Sequence, residues 1–186
     1  MIYKGKINMK SDFGLTYKIV DLNNLNTAYE IQMNTWPDDK DYNDLYDKAI
    51  NTKDDNCMFL VYDKDILVGL TGVDVFEEYP DTIWLDWFTV LEKYRRKGYG
   101  EKILLDTIKY CKDLTKYSAF RVETTYYENR PALFLYDKVM QIKEDYTIED
   151  TANKKNNTII YSYGLKGKVQ SWNNRFLGLR EYYDKL

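Results

Sequence analysis

The chain has 186 residues, 44% of them hydrophobic and 31% charged, which is the size and balance of one globular domain with a core of its own. A formal net charge of −3 argues against a nucleic-acid surface and is compatible with a cationic substrate. With no histidine present, Ser-His-Asp and Cys-His catalysis and the usual histidine-ligated metal sites are excluded, so chemistry falls to carboxylates, tyrosines, backbone amides or a cofactor.

The first fourteen residues show no clear period, and Leu15 to Val20 alternates as a strand does. Leu22, Leu25, Tyr29, Met33 and Trp36 then recur at helical spacing until Pro37, and Tyr42, Leu45, Tyr46 and Ala49 predict a second helix. Cys57 to Tyr62 and Ile66 to Phe76 are apolar and β-branched and are joined by Asp63-Lys64-Asp65, a hairpin signal. Gly69 and Gly72 in the second of these mark a bulge or close packing. After a turn over Glu77 to Asp81, Thr82 to Val90 reads as a third strand, so an antiparallel meander is expected. Cys57 and Cys111, without CxxC spacing, read as buried thiols of a reducing compartment. No apolar run is long enough to span a membrane and the N-terminus lacks an apolar signal region, so a cytoplasmic protein with no membrane partner is expected.

Arg95-Arg96-Lys97-Gly98-Tyr99-Gly100 follows as a basic glycine turn, and Ile103, Leu104, Ile108, Cys111 and Leu114 form one face of a helix beyond it. A strand that passes through such a turn into a helix aims backbone N–H groups and the positive end of the helix dipole at one point, where an anion is stabilised. The missing Cβ atoms of Gly98 and Gly100 let a bulky phosphate approach, and a diphosphate suits the three cationic side chains better than a single carboxylate. Ala119 to Thr124 reads as a strand, Pro131 to Lys138 as a helix with proline in its first turn, and Gln141 to Ile148 and Thr158 to Tyr163 as two strands around a polar loop. The strand-helix-strand crossover makes that part of the sheet parallel. The complete order is β-α-α-β-β-β-α-β-α-β-β in one domain, with its core over about 15–163.

Arg95-x-x-Gly98-x-Gly100, preceded by Phe88-Thr89-Val90 and followed by an amphipathic helix, resembles the acyl-CoA pyrophosphate loop of the GNAT superfamily of N-acetyltransferases. The element order from about Leu15 to Tyr163 resembles the GNAT fold, an α/β (α+β) architecture with a mixed, mostly antiparallel sheet flanked by helices. Asn129-x-x-Ala132-x-x-x-Tyr136-x-Lys138 is similar to the late helix of that family, while Met140-Gln141 departs from the glycine and aromatic that often follow its lysine.

The resemblance implies acetyl transfer from acetyl-CoA, as co-substrate, to a primary amine of a small molecule or peptide. It implies that the backbone of Phe88, Thr89 and Val90 pairs with the pantetheine arm, that the amides of Arg95, Arg96, Lys97, Gly98, Tyr99 and Gly100 hold the pyrophosphate, that Asn129 binds the cofactor and that Tyr136 is the general acid. No metal is expected. On the strand feeding the turn, Trp84, Asp86 and Phe88 share one face by the period of two, and a carboxylate between two aromatics is a candidate for a raised pKa. Asp86 is therefore the candidate general base and Glu123 its rival. Trp36, Asp38, Asp39, Asp41, Tyr42, Glu77, Glu78 and Tyr79 offer an acidic, aromatic surface for a cationic acceptor, or else a solvated face.

Val169, Trp172, Phe176, Leu179 and Tyr183 step by three and four, which predicts a C-terminal helical tail over 165–186. Trp172 is too large to leave exposed without reason, so either this chain's own core or a second subunit covers the stripe, and a homodimer is the expected assembly. Two other readings compete with an enzyme: a module that binds acyl-CoA without turnover, and a different nucleotide-binding protein. The second lacks both the Gly-x-x-x-x-Gly-Lys-Ser/Thr and the Gly-x-Gly-x-x-Gly patterns.

Overall fold

The computed structural model describes residues 7–37, 42–125, 130–146 and 158–173. Seven strands form one sheet in the order β1-β2-β3-β4-β5-β7-β6, with β1 at Leu15–Ile19, β2 at Cys57–Asp63, β3 at Ile66–Asp74, β4 at Thr82–Val90, β5 at Ala119–Thr125, β6 at Ile142–Asp145 and β7 at Thr158–Gly164. Helices α1 (Leu25–Thr35), α2 (Tyr42–Ile50), α3 (Tyr99–Asp113) and α4 (Arg130–Val139) flank it, in the expected order. β4 and β5 run parallel and the other pairs antiparallel, as the crossover through α3 requires.

The sheet is covered on both faces, so β2 and β3 read as nearly continuous apolar runs rather than alternating ones. Cys57, Phe59 and Val61 of β2 pack with Ile103, Leu104 and Ile108 of α3 and with Leu133 and Tyr136 of α4. Met58 and Leu60 point the other way, onto Leu25, Ala28 and Ile31 of α1 and Leu45 and Ala49 of α2. Each such side chain removed from water contributes about 1.5–3 kcal/mol. The buried stripe of α1 is Leu25, Ala28, Ile31 and Gln32; Leu22, included in the predicted helix, precedes it and is exposed.

Two features of β4 shape everything near it. Its ladder with β5 covers only Thr82 to Trp84 against Ala119 to Arg121, after which the strands part, while β5 continues against β7 as far as Thr125. On its other edge the register with β3 shifts: Gly72 faces Asp86 and Leu70 faces Thr89, so β4 holds one residue more than its partner there. Trp87 occupies the shift with φ +42°. The bulge overturns the expected alternation. Trp84 and Asp86 do share a face, but Trp87 joins them on the α1–α2 side, and Phe88 turns to the α3–α4 side with Tyr136. Gly69 lets the strands approach so closely: a Cβ on it would lie 2.5 Å from the carbonyl oxygen of Thr89.

The turn after α4 is built without glycine. Met140 N–H closes the helix on the Tyr136 carbonyl, the Gln141 N–H donates to Ser162 O, and the Gln141 side-chain oxygen accepts from Gly164 N–H at 3.0 Å.

The C-terminal expectation needs correction over its described part. Residues 165–173 are irregular, not helical, with Gly167 at φ +105° and Asn173 at φ +54°. Glu144 of β6 gathers this segment, accepting hydrogen bonds from Trp172 N–H at 2.6 Å and Asn173 N–H at 3.1 Å, and from the Ser171 hydroxyl. Trp172 is 0% exposed, its ring 4.8 Å from Tyr79 and 5.0 Å from Trp84, with the Arg121 guanidinium over it. This chain's own core therefore covers Trp172, which presents no surface to a second subunit. Phe176, Leu179 and Tyr183 lie outside the described residues.

Candidate functional site

The glycine turn sits where β4 ends. A short 3₁₀ turn, Glu92–Tyr94, leads into it, and Arg96 and Gly98 both take left-handed backbone conformations, at φ +59° and +82°, before α3 begins at Tyr99. Gly98 adopts its conformation without a Cβ penalty, and nothing lies within 4 Å of where a Cβ would be, so the approach to the helix end is open. The amides of the first turn of α3 have no partners within the helix by construction, and they emerge into that opening. The Arg95 side chain folds back, its Nε donating to the Val90 carbonyl at 2.9 Å, which ties the turn to the strand end. The Arg96 and Lys97 side chains are exposed. Tyr99 turns its phenol away, donating to Asp63 at 2.6 Å, so it serves the turn through its backbone alone.

The β4–β5 ladder ends at Trp84 and Arg121, so β4 runs on to this turn without a β5 partner. Thr89 and Val90 pair with β3 on one edge, through Leu70–Thr89 and Gly69–Val90, and beyond Trp84 the other edge of β4 has no ladder with β5. Tyr136 of α4 reaches the same place from the far side. Its ring lies 6.4 Å from Phe88 and 5.4 Å from Tyr161, and burial raises its phenol above the ordinary value. Phe88 and Tyr136 thus stand together where β4 leads toward the turn. Asn129 lies outside the described residues.

On the opposite face of the sheet lies a charged cluster, to which the bulge adds Trp87. Lys48 of α2, 6% exposed at its side chain, places its ammonium 2.5 Å from Asp86, 3.0 Å from Asp74 and 3.1 Å from Asp44. Trp87 Nε1 donates to Asp44 at 3.0 Å, and the Trp87 ring meets Trp36 at 5.3 Å. One ammonium among three carboxylates leaves a surplus of negative charge. Burial pushes Asp86 up to about 6 against the pull of Lys48, with the neighbouring Asp44 and Asp74 adding to the rise. Burial by itself lowers the Lys48 ammonium, but the three carboxylates together outweigh it and leave the ammonium above its ordinary value. Asp86 is thus a member of an ion cluster, not a carboxylate between two aromatics.

Glu123 lies two residues along β5 from Arg121, on the same face as Asp86 and just past the point where the strands part. Burial raises its carboxyl while a hydrogen bond from Thr158 opposes the rise, and its surface remains open to solvent. Of the residues expected on the acceptor side, Glu77 and Glu78 are exposed, whereas Tyr79 is core, held by Trp172. Tyr42 joins an aromatic group with Tyr29 and Tyr46. Asp38, Asp39 and Asp41 fall outside the described residues. Lys48 had no signal in the sequence beyond its place on an amphipathic helix.

With that geometry in hand, comparisons with known proteins agree on one kinship. The family model described as "Acetyltransferase (GNAT) family" matches residues 22–140. The spermine/spermidine N(1)-acetyltransferase of Bacillus subtilis (strain 168) is 34% identical over 85 residues, a stretch that is 42% of this chain and 54% of that protein. The chain therefore matches about half the length of this curated relative. Among solved structures, Arabidopsis thaliana NAA60 in complex with a bisubstrate analogue superposes with a TM-score of 0.65 at 14% identity, covering 83% of this chain and 99% of that one. A chimera of the Vibrio cholerae spermidine N-acetyltransferase SpeG with hSSAT gives a TM-score of 0.64 at 16% identity, covering 82% and 96%.

Proposed function

The chain belongs to the acetyltransferase (GNAT) family, and from that premise we propose that it moves an acetyl group from acetyl-CoA to a primary amine. The observation that carries this reading is the gap left where β4 and β5 part beyond Trp84, with the open N-terminal turn of α3 and the Phe88–Tyr136 pair beside the same stretch of β4. In it the free edge of Phe88 to Val90 pairs with the pantetheine arm as an added strand does, and the amides from Arg95 to Gly100 receive the pyrophosphate. The thioester then lies near Phe88 and Tyr136.

The acceptor enters from the α1–α2 face. A surplus of carboxylates around Lys48, with Trp36 and Trp87 beside them, favours a cation there, and this supports an acceptor with more than one amine, of the polyamine class that the curated relative is named for. An aliphatic amine with an ordinary pKa of about 10.4 must lose a proton before it attacks. Asp86, ionised above about pH 6, is the proposed base. Glu123 is its rival, because it lies on the same face and is exposed two residues past the point where β4 and β5 part. The nitrogen lone pair forms the new C–N bond, amides of β4 stabilise the oxyanion, the C–S bond breaks with its electrons going to sulfur, and the proton the nitrogen then sheds passes through solvent to the thiolate, giving amide and free thiol. A phenol raised above its ordinary value is a weaker acid than a thiol of pKa about 8.5, so Tyr136 acts by donating a hydrogen bond to the departing thiolate.

Calorimetric titration with acetyl-CoA tests the first half of the reading, using the parent and Gly98→Glu, which puts negative charge at the open helix end. Binding by the parent that the variant loses supports the cofactor site. A screen of diamines, polyamines, aminoglycosides and peptides for thiol release then tests the second half. If the parent does not bind, acetyl transfer is ruled out; if it binds and no amine releases thiol, the chain is a binding module.

A further inference from the structure

We infer that Phe134 is the adenine platform of the acetyl-CoA site, an inference that rests on the cofactor reading above. Phe134 is 77% exposed, more than any other large hydrophobic side chain among the described residues. It is placed by a helix that packs against the turn. Leu135, its neighbour, closes over Gly100: a Cβ on that glycine would meet the Leu135 Cδ2 at 3.2 Å. Lys138, one turn further along α4 on the same side as Phe134, pairs with Glu101 in the first turn of α3 at 2.7 Å. The face of α4 that carries Phe134, Leu135 and Lys138 therefore borders the end of α3 where the pyrophosphate is received, and Phe134 stands at its solvent side.

The chemistry of the ligand fits that position. A pyrophosphate held by amides at the exposed helix end leaves its adenosine on the solvent side, within reach of whatever rims the turn. An adenine is a flat apolar surface that gains from stacking on an aromatic ring. Phe134 offers such a ring, and the exposed cations Arg96 and Lys97 across the turn suit the phosphate on the adenosine ribose. The exposure of a large apolar ring at this one place has its reason in the bound cofactor.

The test compares two thioesters on three proteins by titration calorimetry. Acetyl-CoA carries the adenine; S-acetyl-4′-phosphopantetheine lacks the whole nucleotide. Phe134→Ala is expected to weaken acetyl-CoA by roughly fivefold or more, the lower end for loss of one base–aromatic stack, without changing the affinity for the truncated thioester. Phe134→Trp is expected to restore or exceed the parent's affinity. Equal affinity for acetyl-CoA in parent and Phe134→Ala overturns the inference, as does a loss of the same size for both thioesters. A Phe134→Ala protein that changes from dimer to monomer with unchanged affinity assigns the ring to a subunit contact and likewise overturns it. If the parent takes up no acetyl-CoA, the cofactor reading itself fails, and that outcome is separate from the others.

Discussion

Lys48 decides what Asp86 can do. Its ammonium opposes the burial that raises the carboxyl to about 6, and it anchors that carboxylate together with Asp44 and Asp74. A base must be ionised to accept a proton, so kcat/KM is expected to hold above about pH 6 and to fall below it as Asp86 protonates. Asp86→Asn should lower kcat and remove that acid limb; a limb that persists in the variant gives the role to another group, with Glu123→Gln as the next profile to measure. Lys48→Met withdraws the charge that favours the ionised carboxylate, so the limb should move to higher pH, while Lys48→Arg should keep it near the parent's position. For Tyr136→Phe, kcat should drop about 100-fold with KM little changed. A drop under twofold would reduce Tyr136 to a packing residue. Tyr136 could be singled out in the sequence because its neighbours there match a family pattern. Lys48 could not, because beyond Asp44 one turn back on its own helix, its partners Asp74 and Asp86 come from two strands far along the chain.

Element by element, β4 is where local and tertiary requirements meet. Its composition marks it as a strand, and its bounds at Thr82–Val90 follow from that composition alone. Its bulge does not, since an extra residue shows only when the partner strand is laid beside it. Gly69 makes the close pairing with Thr89 possible, so Gly69→Ala is expected to cost about 1–3 kcal/mol in urea denaturation and to weaken acetyl-CoA by displacing the strand edge that receives it. Unchanged stability would show that β3 can shift at this point without loss. Helix α3 has a second anchor at Asp106, which is buried and accepts from Ser11 at 2.6 Å, Tyr17 at 2.8 Å and Asp12 N–H at 3.0 Å. Asp106→Ala leaves those donors without their acceptor and should destabilise by about 1–3 kcal/mol, read as a lower midpoint of thermal unfolding. A midpoint equal to the parent's would show that these donors find other acceptors. The residues up to Gly14, read from sequence as without pattern, thus include a segment tied down by a carboxylate far along the chain.

For the whole molecule, the C-terminal segment changes status. Trp172 fills the space between Tyr79 and Trp84, and Glu144 fastens the backbone on either side of it. Trp172→Ala should therefore cost about 3–5 kcal/mol and shift denaturation of the entire domain in one transition. A separate early transition would instead mark the segment as an independent appendage. The sequence by itself determined the order of the elements, the site of the glycine turn and the kinship, because strand and helix periods, turn residues and the Arg95-x-x-Gly98-x-Gly100 spacing are all local properties of the chain. Only the tertiary structure decided the parting of β4 from β5, the bulge at Trp87, the carboxylates around Lys48, the burial of Trp172 and the exposed ring of Phe134 beside the turn. Each of these depends on which distant residues meet, and a one-dimensional pattern carries no record of that.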